Sequence, residues 1–119
     1  MKDMNDSAEK IVDLSYLIEV SKGNKTFVKE MVNLFLSENP EEIKSLENGI
    51  RNKNYELVKD TAHKLRSTIP FLGLDKVIEK EVVQIETLAA SKTGMEEIEK
   101  LFVAVKEACQ KACIELIPV

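Results

Sequence analysis

Apolar residues recur every three or four positions along most of this chain, and this spacing constrains the fold more than any other feature. It places them on one face of an α-helix, between residues that typically begin and end helices. Glycine and proline are scarce, with four and three residues, and aromatic residues make up 5% of the 119. A sandwich or barrel needs many turns and β-branched strands. The sequence therefore predicts an all-α protein.

Cap residues divide the chain into six predicted helices. Asn39 followed by Pro40 is typical of a helix N-terminus, so one helix is expected to end and another to begin there. The first predicted helix spans about residues 14–20 and the last about residues 95–116. Those between them are expected to begin at Asn24, Pro40, Asn54 and Asp75, and Gly73 ends the one that Asn54 caps.

The connections between these helices are short, which favours packing as antiparallel neighbours. We expect one domain over residues 1–119, with residues 1–12 as a flexible N-terminus. Its predicted architecture is an antiparallel up-and-down four-helix bundle with one or two additional short N-terminal helices. A chain of this length can bury a core without disulfides or metals.

The charge balance excludes some classes of function. The formal net charge is −4, whereas a nucleic-acid-binding protein normally has a basic surplus. No run approaches the roughly 20 apolar residues of a membrane span, so no membrane insertion is expected. Residues 1–10 contain no apolar segment typical of a signal peptide. These features predict a cytoplasmic protein.

The two cysteines, Cys109 and Cys113, are four residues apart and are expected on one helix face. A structural zinc site needs about four ligands, and the chain has only one histidine to add to them. We therefore expect two buried thiols and no metal site.

That single histidine, His63, falls outside the apolar stripe of its predicted helix. At about 100° per residue it projects roughly 130° from the centre of that stripe, on a solvent-facing flank. Lys59 lies four residues before it, and Arg66 and Ser67 lie three and four residues after it. Residues at these spacings are neighbours on a helix surface. Lys64 projects to the other flank.

This setting favours a reactive imidazole. The two cations beside His63 favour a neutral ring, whose free nitrogen is a nucleophile, and they would also attract an anion. Ser67 is small and leaves space near the ring. The arrangement suits attack on a phosphoryl group, although many exposed helical histidines have no such role.

The segment resembles the histidine-containing phosphotransfer (HPt) domains of bacterial phosphorelays. Their hallmark is an Ala-His-x-Leu-Lys-Gly-Ser-like run on a bundle helix, followed by a glycine about six residues later. The upstream order of a short helix, a Gly-Asn break and a phenylalanine-containing helix that ends before a proline is also similar. The matching residues are Ala62, His63, Leu65, Arg66, Ser67, Thr68 and Gly73.

Three residues depart from this pattern. Arg66 replaces lysine and keeps the charge, but it is a planar fork and not a point ammonium. Ser67 replaces glycine and is larger. Pro70 removes the backbone donor that would bond the Arg66 carbonyl, so we expect the helix to bend there.

The resemblance implies a phosphorelay carrier, not an enzyme with its own kinase or nucleotide site. His63, through Nε2 in the family, would accept a phosphoryl group from a response-regulator receiver aspartate and pass it to another receiver aspartate. The expected partners are receiver domains and a hybrid sensor kinase. The receiver would supply Mg²⁺, the protein would need no cofactor of its own, and a monomer is expected.

Other residues are assigned supporting roles in this hypothesis. Lys59 and Arg66 would be electrostatic partners of the phosphoryl group, and Ser67 would permit its approach. Glu81 lies on the apolar stripe of the next helix and needs a partner or a route to solvent, so it is a candidate for supporting the site. Gln84 is a candidate for orienting the imidazole. The alternative hypothesis is a non-phosphorylated helical adaptor that binds a receiver or another protein through the same face.

Overall fold

Five α-helices and one 3-10 turn make up most of the computed structural model, which describes residues 10–117. Within that range no strand is present, and the all-α prediction is confirmed. No helix of the range is both long enough and apolar enough to cross a bilayer. The elements are α1 (Ser15–Val20), α2 (Lys25–Arg51), α3 (Tyr55–Thr68), the 3-10 turn (Ile69–Leu72), α4 (Asp75–Ala90) and α5 (Met95–Leu116).

The four long helices enclose a single apolar core. Helix α3 packs against α2 and α4, and α5 packs against α4 and α2, so the four form a closed ring. Asn39 of α2 contacts Cys109 of α5, and Glu47 of α2 lies 3.3 Å from Lys106, so these two helices run in opposite directions. Each fully buried aliphatic side chain stabilises the fold by about 1.5–3 kcal/mol. The core includes Leu46, Val58, Leu65, Ile85, Ile98 and Val105.

Helix α2 is continuous through Pro40, so the predicted helix boundary at Asn39 and Pro40 is wrong. Asn39 is 2% exposed and does not cap a helix; its Nδ2 donates to Sγ of Cys109 at 3.5 Å. A proline inside a helix costs about 3 kcal/mol. Phe35 and Ile43, both buried, lie on either side of it, and their packing explains why the helix continues.

The segment before α1 is bonded to the end of the bundle. Of the predicted flexible residues 1–12, residues 1–9 lie outside the described range. Within residues 10–12, the backbone N–H groups of Ile11 and Val12 donate to the Glu115 carboxylate at 3.0 Å. The Asp13 N–H donates to the Leu72 carbonyl at 2.9 Å. Helix α1 is the one short N-terminal helix within the described residues.

Candidate functional site

Helix α3 presents His63 to solvent. The Asn54 side chain caps this helix by accepting the Leu57 N–H at 3.1 Å, as the sequence predicts. Its Ala62 and Leu65 side chains are fully buried and fix its rotation about its axis. The His63 side chain is 67% exposed on the opposite flank. The prediction that it lies off the core face is therefore confirmed.

One carboxylate from the neighbouring helix binds the imidazole. Oε2 of Glu86, on α4, lies 2.9 Å from Nδ1 of His63. An ionised carboxylate only accepts hydrogen bonds, so the ring nitrogen in this contact is the one that carries the proton. In a neutral ring the lone pair is then on Nε2, which makes no hydrogen bond within residues 10–117.

The same carboxylate also binds Arg66. Oε1 of Glu86 accepts from Nη1 of Arg66 at 3.3 Å, so one side chain contacts both predicted site residues. The Glu86 side chain is 18% exposed, whereas that of Arg66 is 50% exposed. A largely buried carboxylate therefore holds two more exposed groups in a three-residue cluster, here called the His63–Glu86–Arg66 cluster.

The side chains of Lys59 and Ser67 make their polar contacts with groups other than the imidazole. Lys59 pairs with Glu56, one turn earlier, at 3.4 Å. The Ser67 hydroxyl donates to the His63 carbonyl at 3.2 Å, so it points back to the helix backbone. Lys64 is exposed on the flank towards α2, as predicted.

The structure does not place the two predicted supporting residues of α4 at the site. Glu81 is half-buried and makes no side-chain hydrogen bond or ion pair within residues 10–117. Gln84 is exposed beside Lys80 and Thr87, on the outer face of the helix. Glu86 makes the contact that the sequence analysis assigned to Gln84. Its only sequence feature was its place next to a core position, Ile85.

The α-helix ends soon after the site. Pro70 lies in the 3-10 turn, and α3 gives way to that turn after Thr68. A change of helix type at this position agrees with the predicted bend, because the proline cannot donate to the Arg66 carbonyl. Gly73, with φ of +73°, ends the turn. Its left-handed conformation suits glycine.

No group of three or more histidine, cysteine or acidic side chains is arranged to hold a metal ion within residues 10–117. The thiols lie away from His63, between α5 and α2. Cys109 is buried as predicted, and burial raises its pKa to about 11. Cys113 is half-buried, and burial raises its pKa as well.

The fold and the site define an all-helical domain that presents one histidine to solvent beside an acid and an arginine. The family model of the Hpt domain matches residues 30–115, which is most of the chain. The protein therefore belongs to the Hpt domain family. Hpt domains are phosphorelay histidine carriers, not enzymes with kinase sites, and they interact with response-regulator receiver domains. Comparisons with curated proteins and with solved structures found no match.

Proposed function

We propose that the protein carries a phosphoryl group between receiver domains. Nε2 of His63 accepts the group from a receiver aspartate and passes it to an aspartate of another receiver. The observation that carries this proposal is the position of His63, which is two-thirds exposed with Nδ1 bound to Glu86. The unprotonated nitrogen therefore faces the side from which a partner can approach.

The charged neighbours of His63 suit an anion on Nε2. Arg66 is three residues after the histidine and Lys59 four before it, so both can reach a phosphoryl group on its ring. An arginine presents paired N–H donors that match phosphate oxygens. Ser67 contributes by being small, and its hydroxyl is already bonded to the His63 carbonyl.

The proposed phosphoryl transfer needs few further groups from this protein. In the exchange we propose, the receiver supplies Mg²⁺ and the charged pocket that stabilises the transferring group. The Hpt protein supplies the nucleophile and needs no cofactor of its own. Little free energy is lost between an acyl phosphate and a phosphohistidine, so transfer in both directions is expected.

The docking surface we propose extends from His63 towards the end of α3. Phe71 lies two turns beyond the histidine and its ring is 5.7 Å from that of Tyr16 on α1. Tyr16 and Ile18 are about half exposed, whereas Leu17 is fully buried and serves the core. An apolar surface two turns beyond the nucleophile gives a partner an area to bury.

Further parts of the proposal concern architecture and setting. The short connections between the helices, and the opposite directions of α2 and α5, support an antiparallel up-and-down topology for all four long helices. We propose a monomer whose partners are receiver domains and a hybrid sensor kinase. The two free thiols, Cys109 and Cys113, suit a cytoplasmic location, where cysteines stay reduced.

A phosphotransfer assay tests this function. The protein is incubated with each of a panel of receiver domains carrying labelled aspartyl phosphate, and the label is followed by gel. Label that is acid-labile and base-stable is expected on the wild type and absent from His63→Gln. Absence of label on the wild type with every receiver would refute the carrier function.

The second candidate is an adaptor that binds without accepting the group, through the same exposed face of α3. Titration of the unphosphorylated receivers against both proteins distinguishes the two. Binding without label on the wild type favours the adaptor. Because His63 is the only histidine of the chain, acid-labile label on His63→Gln would place the group on another residue type.

A further inference from the structure

The carboxylate of Glu86 binds two groups that the proposed reaction uses. Its Oε2 lies 2.9 Å from Nδ1 of His63 and its Oε1 lies 3.3 Å from Nη1 of Arg66. Arg66 is therefore bound to an acid before any phosphoryl group arrives. Lys59 is bound elsewhere, to Glu56.

Building on the proposed carrier function, we propose that Glu86 is a positioning residue that competes with the phosphoryl group on His63 for Arg66. This competition lowers the stability of phosphohistidine and so favours transfer of the phosphoryl group to the next receiver. Glu86 thereby affects the equilibrium of phosphoryl transfer between the receiver and this protein, as well as the orientation of the His63 ring.

The transfer step defines what Arg66 can bind. The Nε2 lone pair of His63 forms the N–P bond, and the P–O bond to the receiver aspartate breaks, so its electron pair leaves with the aspartate carboxylate. The proton on Nδ1 stays on the ring and continues to be donated to Glu86. The product has three phosphoryl oxygens that share two negative charges, on a residue one helical turn from Arg66.

The burial of the three residues lets Arg66 move from Glu86 to the phosphoryl group, while Glu86 stays in place. An ion pair whose arginine is half exposed contributes little, so the guanidinium can leave Glu86 for a stronger acceptor. Glu86 is largely buried and stays on Nδ1, so Arg66 gives up one acceptor when it moves to the phosphoryl group. The loss of the Arg66–Glu86 ion pair makes phosphohistidine less stable than it would be if Arg66 had been unbound beforehand.

The test is the equilibrium distribution of label between one receiver and this protein. It is measured for the wild type, Glu86→Gln, Arg66→Ala and the double variant. Glu86→Gln keeps an acceptor for Nδ1 but removes the charge, and it is expected to move label towards His63. The shift should be at least about twofold larger with Arg66 present than in the Arg66→Ala background. Glu81→Gln, a half-buried acid on the opposite flank of α4, is the matched control and should leave the distribution unchanged.

Two results would overturn the proposal: a shift of label towards the receiver, or an equal shift with and without Arg66. The second result would mean that the charge of Glu86 acts alone. If Glu86→Gln lost its fold, Glu86→Asp would test the competition without removing the charge, because the shorter acid withdraws from Arg66; label should again move towards His63 only when Arg66 is present. Failure of the carrier function is a separate result, since the wild type would then take up no label.

Discussion

Glu86 on α4 and His63 on α3 are joined through Oε2 and Nδ1, 2.9 Å apart, so the packing of two helices determines which imidazole nitrogen faces solvent. The ring itself is 67% exposed and would otherwise turn freely. A single acid from a neighbouring helix thus supplies both the orientation and the tautomer of the proposed nucleophile.

Replacing Glu86 with alanine is expected to allow the neutral His63 ring to adopt both tautomers. In long-range 1H–15N spectra, the neutral wild-type ring should show Nδ1 protonated, whereas the variant should show a mixture with Nε2 protonated. The rate of phosphoryl acceptance should fall about tenfold, because orientation of the nucleophile is lost. An unchanged tautomer in Glu86→Ala would show that the contact does not fix the ring. Glu81→Ala is the control.

The sequence predicts the site histidine, His63, but not its acid, Glu86, and the geometry of α4 explains why. At about 100° per residue, Glu81 and Glu86 lie roughly 70° to either side of the face of α4 that is buried in the structure. The pattern of one helix cannot tell which of these flanks faces its neighbour. That choice depends on how α4 packs against α3, and the predicted apolar stripe pointed to Glu81 instead of Glu86. His63 needed only the pattern of its own helix.

The boundary predicted at Asn39 and Pro40 failed for a different reason. Asparagine before proline has the local chemistry of a helix start, and local chemistry was all that the sequence provided. In the fold, Asn39 has thiol partners on α5, and core residues continue on both sides of it. Tertiary packing overrode a local preference, and the four-helix count follows from that continuity.

Ser67 provides a test of space beside the nucleophile. Ser67→Leu should leave the fold intact, because leucine is a good helix former and the position is exposed, but transfer should slow about tenfold or more. Ser67→Gly should keep transfer and lower the free energy of unfolding by roughly 0.5 kcal/mol. Ser37→Leu is the matched control, since Ser37 is also an exposed helix serine bonded to a backbone carbonyl. Equal effects of the two leucines would contradict the prediction.

Gly73 is expected to be intolerant of any side chain. Its φ is +73°, and an added Cβ would lie 2.6 Å from the backbone oxygen of Asp13. Gly73→Ala should lower the free energy of unfolding by about 2–4 kcal/mol, from strain and overpacking together. Gly23→Ala is the control, because Gly23 has a φ of +77° and an added Cβ there would meet no atom within 4 Å. It should lower the free energy of unfolding by about 1 kcal/mol, from backbone strain alone. Urea unfolding measures both, and equal losses would exclude the clash with Asp13.

Glu42 is expected to destabilise the protein at neutral pH. Burial, with the Glu38 charge adding to it, raises the pKa of Glu42 above its ordinary value of 4.5, although Lys64 opposes this. An acid whose pKa is raised on folding leaves stability unaffected below pH 4.5 and weakens it as pH rises through the folded pKa. Glu42→Gln should therefore raise the free energy of unfolding at pH 7 by about a few tenths of a kcal/mol, since the group is partly exposed.

The advantage of Glu42→Gln should vanish when thermal melting is repeated below pH 4.5. Glu41→Gln, the exposed neighbour, serves as the control for the loss of one negative charge from the protein. A gain that stayed constant from pH 4 to pH 7, or one that Glu41→Gln reproduced, would refute the assignment to Glu42.

The two thiols should differ sharply in reactivity. Burial is the main reason that the pKa of Cys109 rises to about 11, from an ordinary value of 9.0, so at pH 8 it has about 100-fold less thiolate than an ordinary cysteine. Cys113 is half-buried and its pKa is raised less.

Iodoacetamide at pH 8, followed by peptide mass spectrometry, should label Cys113 first and Cys109 at least about tenfold more slowly. In urea the two rates should converge, because both thiols then have the same solvent. Faster labelling of Cys109 than of Cys113 in the folded protein would contradict the prediction, because it would mean that α5 opens from α2 near Asn39.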